Sequence, residues 1–138
     1  MKNILISGIG GPTPRSVARR VREVLPDCNI IGIDANKKAL GFYMKGLVDK
    51  HYIVPRASDN SYWDTINKII SDNKIDLAFI QPGFEVIKWG ELYKEKGEFP
   101  CPVLLPPLEL AQMLMNKALM SDVLEGTEYI PKTVKISP

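Results

Sequence analysis

The stretch "NILISGIGGPTPRSVARRVREVL", residues 3–25, runs from a short apolar segment through glycines and prolines into a helical pattern. Residues 3–8 read as a buried strand stopped by Gly8. Thr13 suits an N-cap and Pro14 the first helical position. Val17, Val21, Val24 and Leu25 follow the helical period and give one apolar face. A strand entering a helix through a glycine turn is the start of a βαβ unit.

The rest of the chain repeats that alternation. "CNIIGID" at 28–34 is a second strand, and 36–49 a weak, glycine-interrupted helix. "KHYIVP" at 50–55 is a third strand. The segment 58–73 opens with capping residues and carries Trp63, Ile66, Ile69 and Ile70 at helical spacing. "IDLAFIQP" at 75–82 is a fourth strand, 84–97 a charged surface helix, and "CPVLLPP" at 101–107 a fifth strand or extended segment. Residues 108–126 are helical with a break near Asn116, and 127–138 are extended. Strands apolar on both faces, alternating with helices, predict an α/β fold. The expected architecture is a three-layer, Rossmann-like parallel sheet of about five strands in the order 3-2-1-4-5, with helices on both faces and right-handed crossovers.

Composition narrows the function. A chain of 138 residues fits one domain. Hydrophobic content of 45% and charged content of 25% are those of an ordinary globular protein. A net charge of +2 predicts neither nucleic acid nor an anionic membrane as partner. Cys28 and Cys101 read as buried thiols, and His51 is the one histidine. That inventory argues against a structural metal site and against a serine–histidine–aspartate triad. No signal peptide and no apolar run of about 20 residues is present, so a cytoplasmic protein is expected.

The first loop matches two glycines of GxGxxG, Gly8 and Gly10, with Thr13 in place of the third. Asp34 ends the second strand where a dinucleotide fold carries its ribose-binding carboxylate. Gly8, Gly10 and Gly11 let a ligand approach the backbone, and the loop amides, the helix amino terminus, Thr13 and Arg15 are expected to converge on an anion. The plain alternative is a tight turn that binds nothing. Pro12 and Pro14 remove two donors and fill the space of a pyrophosphate, so a carboxylate or one phosphate suits the loop better than a dinucleotide. Arg15, Arg19 and Arg22 form a basic stripe that reads as a solvated face, with only Arg15 near the loop. In the order 3-2-1-4-5 the loop "QPGFE", residues 81–85, faces the first. There Gln81 or Glu85 would recognise an ammonium or hydroxyl. The alternative makes Gly83 a turn residue and Glu85 a first-turn acid favoured by the helix dipole.

Four segments in order, "LISGIGGPTPRSVARRVRE" (5–23), "IIGIDAN" (30–36), "VDKHYIVPRASDNSYWDTINKIISDNKIDLAFIQP" (48–82) and "NKALMSDVLEGTEYIPKT" (116–133), resemble the amino-terminal domain of ATP-grasp ligases. The likeness is to the carbamoyl-phosphate synthase large-subunit-like and carboxylate–amine ligase branch. The resemblance implies a Rossmann-like, pre-ATP-grasp domain that binds substrate and precedes two domains clamping ATP and Mg²⁺. It implies an enzyme that activates a carboxylate as an acyl phosphate for attack by an amine or ammonia. Carried over, Gly8, Gly10 and Gly11 would border the substrate site, Asp34 would close the second strand near it, and Lys117 would reach the nucleotide phosphates, the plain alternative for Lys117 being a solvated lysine at a helix start.

Two departures stand out. The family's acidic pair after strand four is reduced to Glu85, shifted by "PGF". The metal-binding carboxylates and asparagines of the ATP clamp cannot be assigned in 138 residues. The resemblance therefore implies a substrate-binding domain at 1–115 and a helix and linker at 116–138 leading toward an ATP-grasp domain. The chain alone would hold no catalytic residue, no metal and no tightly bound ATP or Mg²⁺. Its partners would be a small anionic substrate and a missing or separate clamp, with a homodimer left open. Two other classes compete: a stand-alone nicotinamide or flavin dinucleotide module, and a non-catalytic interaction domain donating the "TVKIS" edge as a strand.

Overall fold

The computed structural model describes residues 1–129 and 131–134. Most of the "TVKIS" edge lies outside them. Four parallel strands form one sheet in the order β3-β2-β1-β4: β1 (Asn3–Ser7), β2 (Asn29–Asp34), β3 (Lys50–Ile53) and β4 (Leu77–Phe79). The α/β class and the order of the first four strands agree with the sequence reading. The fifth strand does not form. Residues 101–107 touch the sheet at a single bridge, Ala78 to Val103, with the Ala78 amide donating to the Pro102 carbonyl at 2.9 Å. Pro102, Pro106 and Pro107 carry no N–H, so this segment cannot sustain a ladder.

Side chains alternate across the sheet and divide the core in two. Ile4 and Ile6 of β1 and Ile30 of β2 face α1 (Pro12–Val24), with Ala18, Leu47 and partly buried Val17 and Val21. Leu5, Ile31, Ile33 and Ala78 face the other way, onto Tyr62, Ile66, Ile69 and Ile70 of α3 (Tyr62–Asn73) and Trp89 of α4 (Gly83–Lys96). By the same alternation Ser7 faces α3 and α4, and it is fully buried.

Several elements differ from expectation for identifiable reasons. The first helix begins at Pro12, after an extended Gly11, not at Pro14, and no side chain caps it. Both prolines then fall in the first three positions, where an N–H has no intrahelical acceptor. Val24 and Leu25 are exposed, not core. A 13-residue helix is about 20 Å long, against about 17 Å for a five-residue strand, so only its last residues outrun the strand. The weak helix shrinks to one turn, α2 (Leu40–Tyr43). The charged surface helix α4 buries Trp89 fully and Glu85 almost fully on its inner face. The break at Asn116 is present between α5 (Leu108–Met115) and α6 (Lys117–Val123), where the Asn116 side chain caps α6 by accepting from the Leu119 amide at 3.1 Å.

The remaining single-residue readings resolve as follows. Cys28 and Cys101 are buried free thiols, and burial pushes Cys101 up to about 11. His51 stacks on Phe42 at 4.6 Å. Arg22 is not a solvated stripe residue: it donates to the Cys28 carbonyl and pairs with Asp49, each at 2.6 Å. No helix among the described residues is long and apolar enough to cross a membrane.

Candidate functional site

The strand ends, the glycine loop and the 81–85 turn enclose a half-open cleft of about 660 Å³ at the carboxyl edge of the sheet. Gly8, Asp34, Arg56, Pro82, Glu85 and Lys88 are among its lining residues. This is the end of a parallel sheet at which α/β folds bind ligands.

Gly8 holds the two loops together. Its φ is +64°, and a Cβ there would lie 2.6 Å from Cγ of Pro82. That left-handed turn brings the Gly11 amide back to the Gly8 carbonyl at 2.8 Å. The Ile9 amide donates to the Ile33 carbonyl at 3.2 Å and the Gly10 amide to Oδ2 of Asp34 at 2.9 Å. The expected convergence of loop amides on an anion is therefore not formed. The amides of residues 9–11 bond within the chain, and Pro12 and Pro14 have none to offer.

Of the expected substrate-site residues, Gly8, Asp34 and Glu85 line the cleft, and Gly10, Gly11, Thr13, Arg15 and Gln81 do not. Arg15 donates to the Gly10 carbonyl at 3.1 Å and so braces the loop. Thr13 is exposed in the first turn of α1. The Gln81 amide donates to Oγ of Ser7 at 3.0 Å. Asp34 accepts from the Gly10 and Asn36 amides and closes β2 onto the loop. Lys117 is exposed and donates to the Leu114 carbonyl at 3.1 Å.

Glu85 is the chemically distinctive residue. It is 6% exposed, and its Oε2 has no hydrogen-bond partner among the described residues. Burial pushes its carboxyl up to about 7, and the charge of Asp34 adds to the rise, while the hydroxyls of Ser7 and Tyr62 beside it pull it down. Tyr62 is itself fully buried and accepts from Nε1 of Trp89 at 3.0 Å. Burial, and then the Glu85 charge, push its phenol well above the ordinary range. The sequence reading named Glu85 but missed Ser7 and Tyr62 beneath it and Arg56 and Lys88 at the rim. Ser7 had a signal: it is a polar side chain directly after the apolar run Ile4, Leu5 and Ile6. Lys88 stands one helical turn beyond Glu85. Among the described residues no group of three or more His, Cys, Asp or Glu side chains is disposed to hold a metal ion.

No family model and no curated protein matches the chain. Among solved structures it is similar to the 2.9 Å crystal structure of dTDP-glucose 4,6-dehydratase from Bacillus anthracis in complex with NAD. The TM-score is 0.51 at 14% identity, covering 69% of this chain and 34% of that one. This chain thus matches about a third of the dehydratase's length. At that identity the likeness shows the fold alone: a Rossmann-like α/β sheet.

Proposed function

We propose that this chain is the amino-terminal, substrate-binding domain of an ATP-grasp carboxylate–amine or ammonia ligase of the carbamoyl-phosphate-synthase-like kind. It binds and orients the acceptor substrate and is inactive without the ATP clamp. The observation that carries this reading is the cleft itself, with a buried acid at its floor and the α5–α6 break beside it. Met115, the last residue of α5, packs its sulfur against Gly83 at the start of α4. The helix beginning at Lys117 therefore departs from the edge of the 81–85 turn, a placement suited to bringing a clamp over the cleft. ATP with Mg²⁺, held by the clamp, supplies the phosphoryl group that activates the carboxylate. In this reading the part of the residues described here is binding and orientation of the substrate. A cytoplasmic location accompanies this reading.

The test is the coding sequence beyond codon 138. The expected result is a reading frame, or an adjoining gene, that encodes the carboxylates and asparagines of an ATP clamp. A stop codon with no such neighbour would overturn it.

A dinucleotide-binding module is the second reading, favoured by the fold shared with a protein solved in complex with NAD. Against it, Asp34 is turned back onto Gly10, and the amides of residues 9–11 are already bonded within the chain. Titration with NADH and NADPH to millimolar concentration distinguishes the two. The ligase reading expects no fluorescence change, and a saturable change would favour the dinucleotide.

A further inference from the structure

We infer that the cleft binds a small amino carboxylate as a zwitterion, its ammonium group donating to Oε2 of Glu85 and its carboxylate meeting Arg56 and Lys88. The inference rests on the ligase reading in one respect, that the cleft is a substrate site.

The hydroxyls of Ser7 and Tyr62 lie beside the Glu85 carboxyl. The indole N–H of Trp89 can only donate, so Oη of Tyr62 is the acceptor there and its own proton is left for the neighbouring carboxyl. Oγ of Ser7 likewise accepts from the Gln81 amide, which frees its proton for Glu85. Oε2 remains buried with no hydrogen-bond partner among the described residues, on a residue that lines an open cleft. A buried acceptor without a partner is uncommon in a native fold, and here it belongs to a residue lining the cleft.

The chemistry favours an ammonium over a hydroxyl as that partner. A hydroxyl would supply one hydrogen bond and no charge. An ammonium supplies three donors and a positive charge close to both Glu85 and Asp34, whose mutual repulsion is already felt. The opposite requirement appears at the rim. Arg56 is exposed and Lys88 half-buried, both line the same cleft, and neither makes an ion pair among the described residues. Glu91 shares that rim from the next turn of α4. An acid at the floor and, at the rim, two cations against the single acid Glu91 favour a ligand with its ammonium inward and its anion outward. Phe84, Ile87 and Ala57 supply apolar wall between them.

The test is a titration of the 138-residue chain with each standard L-amino acid, read by amide shifts at residues 56–58 and 81–88 in ¹⁵N-correlated NMR. At least one amino acid is expected to shift those amides saturably. Its deaminated acid and its decarboxylated amine are expected to bind at least about tenfold more weakly, the scale of one charge-assisted hydrogen bond. Glu85→Gln should cost the amino acid about tenfold and leave the deaminated acid unaffected. Lys88→Gln, at the rim where folding is not at stake, should weaken both. Equal binding of the deaminated acid, an unaffected Glu85→Gln variant, an unaffected Lys88→Gln variant, or no amino-acid response would each overturn the inference. Preference for the deaminated acid would do so while leaving the ligase reading standing. A saturable NADH response on the same amides would remove both.

Discussion

Glu85 gives this protein a pH dependence opposite in sign to that of an ordinary surface carboxylate. Its folded value, about 7, lies above the unfolded value of 4.5. The folded state therefore holds this proton more tightly, and the contribution of Glu85 to stability is fully present below pH 4.5 and is lost as the pH rises through 7. The full loss is about 3 kcal/mol. Glu85→Gln, which keeps the shape and cannot ionise, should be more stable than the parent at pH 8 and nearly equal at pH 5, by urea denaturation. An identical difference at both pH values would show that the carboxyl does not titrate in this range. Asp49 behaves the other way. Burial works to raise it, but the Arg22 hydrogen bond and the Ile30 amide outweigh burial and hold it below its ordinary value. Its contribution is present at neutral pH and disappears as the pH falls through that lowered value. The pair is partly solvated, so Arg22→Ala should cost only about 1 kcal/mol at pH 7 in a thermal melt.

Helix ends and crossovers carry their own constraints. Lys74 caps α3 with φ +49°, a left-handed conformation that a Cβ disfavours. Lys74→Gly should therefore raise stability by about 1 kcal/mol, measured by chemical denaturation; a loss would mean that the Lys74 side chain contributes more than its backbone strain removes. The single turn α2 can lie under the first loop because Gly41 presents no side chain to the Ile9 carbonyl. Gly41→Ala would force that backbone apart and should cost about 1–3 kcal/mol. Its amide spectrum should change around Ile9 and Gly10, and an unperturbed spectrum would refute the packing argument.

Across the molecule, the apolar surface is uneven. Leu110, Leu114, Met115, Leu119 and Val123, on α5 and α6, all remain exposed. If a clamp follows Lys117 as proposed, residues 108–123 should exchange their amide protons more slowly in a longer protein containing it than in this chain, by hydrogen-exchange mass spectrometry; equal rates would count against that arrangement. Much of the architecture is legible in the chain because it rests on local patterns. Apolar runs of strand length, punctuated by Gly8, Pro26 and Pro82, allow little besides a parallel α/β sheet. The break at Asn116 and the Glu85 position are visible for the same reason. The polar cluster of Ser7, Tyr62, Glu85 and Trp89 is not, because its members come from β1, α3 and α4 and meet only when both helices pack on one face of the sheet. The loop amides are the converse case. Residues 8–15 carry a pattern that suits an anion, yet the fold turns Asp34 and the Gly8 carbonyl toward those amides. Sequence spacing specifies which groups are near along the chain, whereas hydrogen-bond partners and burial depend on which distant segments share the same space.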